Sequence, residues 1–384
     1  MGNHSAKLSH KQQHQQQESA ADAAPQGFSP SRRASYPIWK KRFDLISDGA
    51  DELTRAHFDQ FGSDFGEKLW AYFADGDTVS AERFMEKAVP LFGTSTDVYV
   101  KLVDDAEAFL RMSSDLVDCS PIDNDEVFAN VLSTVKSCGD DYQSTVQWKH
   151  AEAARIADPL QLRFHAAFSS IPVPSIPRSD IVSPFCMFYL RTSIPASYLP
   201  PQNYEWSKLY SSLTSGMSTS RFESTVFGYK SRTLALIRTS AGIFALGVDQ
   251  EWRHSLAPFG GPDAFLVKLA PGPTVVTYSG ASNIFCNLKL RATKMGISWK
   301  SAPLDVDKDL SQVHEMEVWA CGAATHLEEH SKLKVWQKNQ IEKNKKVPLP
   351  GNWDDNADKT LLEMAGFQFS NERNNDPRPE ERRE

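Results

Sequence analysis

Long hydrophobic runs are absent from this 384-residue chain. Its best apolar stretch, Thr233 to Val248, is interrupted by Arg238, so no segment has the length and hydropathy to span a bilayer. The first residues lack the apolar core of a secretory signal. Positive charge is not in excess either. A formal charge of −7 argues against a general nucleic-acid binder, which needs a dense positive field to displace counterions. The five cysteines, Cys119, Cys138, Cys186, Cys286 and Cys321, are scattered with no CxxC or CxxH spacing. That pattern predicts reduced thiols facing the cytosol and no zinc site. The signatures of common catalysts are missing as well: there is no G-x-S-x-G, G-x-x-x-x-G-K-[ST], H-E-x-x-H or G-x-G-x-x-G. His165 and Cys186 lie on either side of a proline-rich break, a poor basis for a nucleophile–base pair. No catalytic residue, metal site or cofactor is expected.

What is present falls into five stretches. Residues 1–38 are rich in Gln, Ser and Ala and locally basic (Lys7, Lys11, Arg32, Arg33), a composition that predicts a disordered tail. Residues 39–168 carry helical periodicity: Leu102, Ala106, Phe109 and Leu110 recur on one face, as do Phe128, Val131, Leu132 and Val135. Asp123-Asn124-Asp125-Glu126 supplies the acidic turn that favours a helix start. Residues 169–180 hold Pro172, Pro174 and Pro177, which read as a linker. From 181 to 322 short β-like runs follow one another: 233–238, 243–248, 264–269, 274–279, 284–290 and 314–320, the first two joined by a hairpin loop ending at Gly242. Residues 323–384 read as a lysine-rich helical segment, opened by a capping box at Thr325–Glu328, followed by a charged tail. The expected fold class is α+β multidomain, a helical amino-terminal domain followed by an antiparallel β-sandwich with flanking helices.

Four motifs invite a functional reading. Met1-Gly2-Asn3 offers the glycine that N-myristoylation needs, although the pattern's Ser/Thr position is Ala6, with Ser5 one place early. Asp75-Gly76-Asp77 to Glu82 has the spacing of the second half of an EF-hand loop, but its first and third ligand positions fall on Ala71 and Phe73, which offer no oxygen. This predicts an EF-hand-like relic rather than a calcium sensor. Arg32-Arg33-Ala34-Ser35 is a candidate phosphorylation site at Ser35, where added negative charge would oppose the basic tail. Trp336 stands among Lys332, Lys334 and Lys338 and is a candidate docking residue.

The β-rich half resembles the TLDc domain family, on several pieces in order. They are Trp206-Ser207-Lys208-Leu209-Tyr210-Ser211-Ser212; Gly216 and Phe222; the pair Thr233–Arg238 and Gly242–Gly247, which includes Phe244; Trp252; Phe259-Gly260; Asp263-Ala264-Phe265-Leu266; and Met316-Glu317-Val318-Trp319-Ala320. With the Met-Gly-Asn start, the EF-hand-like region and Leu361–Gly366, the layout is most similar to the myristoylated, TOR-associated lysosomal branch of that family. The resemblance implies a non-enzymatic adaptor that binds subunits of the vacuolar-type proton pump, acts with TOR kinase, and sits on the cytoplasmic face of lysosomal or endosomal membranes. Its alternative implication is oxidative-stress resistance in the cytosol without redox chemistry of its own. Two departures stand out. The family's F-G-G-F is Phe244-Ala245-Leu246-Gly247 here, and only residues 289–315 separate Leu288 from Met316, a shorter stretch than the family's, which puts one or two strands in doubt.

Overall fold

Side-chain caps and left-handed residues cut the helical half into short pieces. The structure, a computed structural model, describes residues 30–169, 175–199, 206–272, 275–278, 281–292, 294–300, 302–345 and 357–366. Its first helices are α1 (Pro30–Ser47), α2 (Ser63–Phe73), α3 (Ala81–Ala88), α4 (Asp97–Val103), α5 (Ala106–Asp115), α6 (Glu126–Cys138), α7 (Tyr142–Glu152), α8 (Asp158–Ala166) and α9 (Pro184–Ser193). The periodic stretch from Leu102 to Leu110 spans two helices, not one. Asp104 takes a left-handed φ of 54° that ends α4, and the Asp105 carboxylate accepts the Ala108 N–H at 2.6 Å to start α5. Asp125 caps α6 as its acidic turn suggested, accepting from the Val127 and Phe128 N–H groups. Two-residue strands β1 (Glu52–Leu53) and β2 (Val79–Ser80) pair antiparallel between the first helices.

The α1 helix begins inside the segment read as a disordered tail. Tyr36, Phe43 and Ile46 are buried, so tertiary packing overrides a locally polar, proline-containing sequence.

The carboxy-terminal half is antiparallel. Strands β3 (Ser207–Ser211), β4 (Thr233–Thr239), β5 (Gly242–Val248), β6 (Phe265–Ala270), β7 (Val275–Tyr278) and β11 (Val313–Ala320) form a six-stranded sheet of order β3-β11-β4-β5-β6-β7. Strands β8 (Ile284–Asn287), β9 (Gly296–Trp299) and β10 (Asp305–Val306) make a separate three-stranded sheet. Residues 289–315 therefore do contain strands, β9 and β10, as well as the start of β11. Short helices α10 (Ser212–Ser215) and α11 (Thr219–Val226) follow β3. The β4–β5 hairpin turns at Gly242, whose φ is +140° and where an added Cβ would lie 2.1 Å from the Ala270 carbonyl oxygen; only glycine fits there.

Strand alternation divides the large sheet between two cores. Leu234, Leu236, Ala245, Phe265, Val267 and Trp319 pack into one cluster with Phe43, Phe73, Phe109 and Phe164 of the helical half. On the opposite face Tyr210, Ala235, Phe244, Leu246 and Val318 share a cluster with Ile284, Cys286 and Ile297 of the small sheet. Helical layer and sheet thus share a continuous apolar core, although the sequence placed a linker between them. Residues through Glu328 cluster as one compact unit and Glu329–Glu384 as another. The helix α12 (Ala324–Lys345) starts one residue before Thr325, so Thr325 is already helical and does not cap. In the second unit lie the remainder of α12 and α13 (Ala357–Met364).

Candidate functional site

The most concentrated polar group lies on the helix-facing side of β11. Glu317 is fully buried, with Trp319 on the same face two residues on. Four donors converge on its carboxylate. Ser179 Oγ donates to Oε2 at 2.6 Å, the Asp180 N–H to Oε1 at 3.1 Å, Lys208 Nζ to Oε1 at 2.7 Å, and Trp319 Nε1 to Oε2 at 3.3 Å. Lys208 also bonds Asp180 Oδ2 at 2.8 Å and lies 4.9 Å from the centre of the Trp319 ring. Burial would lower the Lys208 pKa, but its hydrogen bonds to Asp180 and Glu317 reverse that and raise it. The bond from Lys208 holds the Asp180 carboxyl below its usual range, with Glu317 adding to the effect. One strand along, Arg238 Nη2 donates to the Ile181 carbonyl and its Nε pairs with Glu315 at 2.8 Å. Chemically this is a clamp. It fastens residues 179–181 to strands β3, β11 and β4 through paired, partly desolvated charge.

The other signature residues build cores. The Trp206 indole N–H donates to the Tyr198 carbonyl at 2.9 Å, and the Tyr210 hydroxyl to Gly216 O at 2.8 Å. Trp252 Nε1 donates to Thr233 Oγ1 at 2.8 Å in a buried setting, while Phe244 is wholly enclosed. Gly247 pairs with Phe265 across β5 and β6, and a Cβ on it would stand 2.1 Å from the Phe265 ring. The glycine of the altered F-A-L-G run, standing where the family has its second Phe, is therefore the residue the Phe265 ring lies against. Gly260 holds a φ of +110° beside Ile284 and Ala264.

The remaining candidates scatter. Gly2 lies outside the described residues. Ser35 sits within α1 and is half-buried, not in the freely solvated tail expected of a kinase substrate. Ala71 and Phe73 occupy the last turn of α2, with Phe73 wholly in the core, while Asp75 is exposed and 3.4 Å from Arg83. The EF-hand spacing therefore meets helix where a loop would have to supply its first ligands. Trp336 is 58% exposed on α12. His165 stacks on Phe92 and faces the Leu91 carbonyl, and burial pushes the Cys186 thiol far up, so neither is poised for nucleophilic chemistry.

Sequence reasoning missed a cavity of about 140 Å³ lined by Val117, Arg155, Asp158, Phe188, Arg191 and Leu199, among others. Burial pushes the Asp158 carboxyl up to about 6, against the opposing charges of Arg155 and Lys149. Arg155 Nη2 donates to the Arg191 carbonyl at 3.1 Å and to that of Ile194, closing the carboxy-terminal end of α9. The only hint in the sequence is an aspartate before Pro159 at a helix start, a pattern far too common to mark a cavity.

Compared with known proteins, residues 176–314 match the TLDc domain family. A 60-residue segment is 36% identical to "Restriction of telomere capping protein 5" of Colletotrichum graminicola, covering 16% of this chain and 10% of that protein's length. The family match ends within β11, before Glu317 and Trp319, yet the clamp built on those residues begins at Ser179, inside it.

Proposed function

Because this chain carries a TLDc domain at residues 176–314, we propose that it is a non-enzymatic, membrane-associated adaptor that binds the vacuolar-type proton pump and acts in TOR signalling at lysosomes. In this reading the helical layer is an EF-hand-like fold that has lost its calcium ligands. The two sheets form a TLDc β-sandwich, and Gly2 carries a myristoyl chain. The observation that carries the reading is the division of labour among the domain's aromatic and charged signature residues. Trp206, Tyr210, Trp252, Phe265 and Trp319 serve the cores and Glu317 the clamp, while Trp336, beside Val335, stands exposed on a lysine-rich helix. An exposed tryptophan of this kind suits protein docking, where aromatic anchors carry much of the binding energy.

The test is affinity purification of the tagged chain from cells. Pump subunits should co-purify, and Trp336→Ala should weaken their recovery roughly thirtyfold if that side chain contributes about 2 kcal/mol. Recovery of no pump subunit sinks the adaptor reading. Gly2→Ala should lower the membrane-bound fraction and abolish uptake of a myristate analogue by the chain in cells. A wild-type chain that takes up no myristate analogue rejects lipidation.

The thiols keep a second reading in play, oxidative-stress resistance without redox chemistry of its own. Burial raises Cys119 to about 11 and Cys286 to about 12, and moves Cys186 and Cys321 up as well. These four buried thiols are poor reductants, which leaves exposed Cys138 as the accessible one, and in this reading protection runs through a partner. A deletion strain that is peroxide-sensitive, rescued by a chain with all five cysteines changed to serine, would favour this second reading.

A further inference from the structure

The α1 helix has two apolar faces. One carries Tyr36, Phe43 and Ile46 into the core. On the other, Ile38 is 60% and Leu45 55% exposed. They are seven residues apart, two helical turns, and therefore lie on one line about 10 Å long. Exposed Ala34 and Lys41 share that outward surface. Arg42, at its border, stacks on Trp39 and Phe92 at 4.6 and 4.0 Å from their ring centres, which holds the helix at a fixed rotation. The charge of this helix also runs against the rest of the chain. Between Pro30 and Ser47 lie Arg32, Arg33, Lys40, Lys41 and Arg42 against Asp44, which pairs with Lys40 at 2.8 Å, whereas the protein as a whole carries −7.

We propose that the outward face of α1 lies on an anionic lipid surface, with Ile38 and Leu45 entering the headgroup boundary and exposed Lys41 between them meeting phosphates. Charge complementarity selects the occupant. A basic helix on an otherwise acidic protein is drawn to anionic lipid while the remaining surface is repelled, which orients the chain. The pattern also suits lipid better than a protein groove. Groove-bound helices present a row of apolar anchors at successive turns. Here a lysine lies between two aliphatic side chains, an arrangement an interface tolerates because the ammonium reaches back to the headgroups. This deepens the membrane-association reading above but does not depend on the lipid at Gly2.

The experiment uses the full chain made in bacteria, without acylation, and vesicles of phosphatidylcholine with or without about one-third phosphatidylserine. Wild type should co-sediment with the phosphatidylserine vesicles and not with phosphatidylcholine alone, and binding should fall as salt rises. Ile38→Glu with Leu45→Glu should lower the partition about tenfold or more, and Lys41→Glu should lower it as well. Leu256→Glu, equally exposed elsewhere at 68%, should change nothing. These exposed positions leave the core intact, so an unchanged thermal midpoint certifies each fold. No binding by wild type, equal binding by the double variant, or equal binding to both vesicle types overturns the proposal. So does a self-association that Ile38→Glu abolishes, which would assign the face to a second copy. Since Gly2 is unmodified throughout, a failure here leaves lipid anchoring untouched, and a soluble Gly2→Ala protein in cells leaves the α1 face untouched.

Discussion

Replacing Glu317 by glutamine tests the clamp on β11 with the least change of shape. The amide oxygen can keep the bonds from Lys208 Nζ and the Asp180 N–H, which share one carboxylate oxygen. At the other oxygen an amide NH₂ would face two donors, Ser179 Oγ and Trp319 Nε1. Ser179 cannot readily compensate by turning to accept, because its Oγ already takes the Ile181 and Val182 N–H groups at 3.0 and 3.3 Å. Two bonds to a charged acceptor are lost and a buried indole N–H is left unpaired. At about 1.5–3 kcal/mol for a bond to a charged group, and less than additive for neighbours, the expected loss is about 2–4 kcal/mol. Equilibrium urea unfolding followed by tryptophan fluorescence measures it. In a thermal melt the same loss lowers the midpoint by roughly 4–10 °C, at the shallow end of the size scaling. A cycle with Lys208→Met and Glu317→Leu should return a coupling of about 1–3 kcal/mol, because either single change strands a charge that the double change removes. A Glu317→Gln protein within about 0.5 kcal/mol of wild type would refute the clamp, since no rearrangement of these donors leaves all of them satisfied.

Three further outcomes follow from the geometry. The raised Asp158 carboxyl favours the folded state when protonated, so its contribution is present below the unfolded value near 3.8 and is lost as pH rises through about 6; Asp158→Asn should flatten the stability profile in that window and gain on wild type above it, in urea titrations at stepped pH. Asp97 behaves oppositely: burial raises its carboxyl, but bonds from Lys149, Ser95 and His150 outweigh that and hold it at about 2, so its contribution is present above 3.8 and is lost as pH falls through about 2. Asp97→Asn should cost about 2–4 kcal/mol at neutral pH by stranding Lys149, whose side chain is 2% exposed, and a loss below about 0.5 kcal/mol would count against that pairing. Gly247→Ala should destabilise by about 1–3 kcal/mol by driving a methyl group into the Phe265 ring, whereas Gly247→Ala with Phe265→Leu should recover part of the loss; calorimetric melts of both variants decide it.

The parts of the fold legible in the sequence were those with strong local signals. Strands at 233–238 and 243–248 fall within one residue of β4 and β5, because β-branched and aliphatic residues run up to a turn that only Gly242 can make. Strand β3 passed unseen as a strand because Ser207, Lys208 and Ser211 dilute its apolar content; it exists through pairing with β11, more than a hundred residues on. The break at Asp104 was hidden by apolar periodicity that continues across it. The Asp104-Asp105 pair was the available signal, since Asp tolerates left-handed φ and caps helices. Glu317 was noticed only within a family-like strand. A glutamate is expected at the surface unless paired, and its partners Ser179 and Lys208 lie 138 and 109 residues away, a distance no local pattern bridges.

The last of the described strands occupies an interior place in the large sheet. β11 separates β3 from β4, so during synthesis the edges of both wait unpaired until residue 320 has cleared the ribosome. At about 5–20 residues per second, the stretch from β4 to β11 leaves several seconds in which two sheet edges and the apolar face destined for the helical layer stand open. Premature termination anywhere before 313 makes that interval permanent. A fragment cut at 314, where the family match ends, would keep β3 but lose nearly all of the strand that joins it to the sheet, and would be expected to aggregate. Closure of this half by β11 means that products truncated before that strand fail as a class.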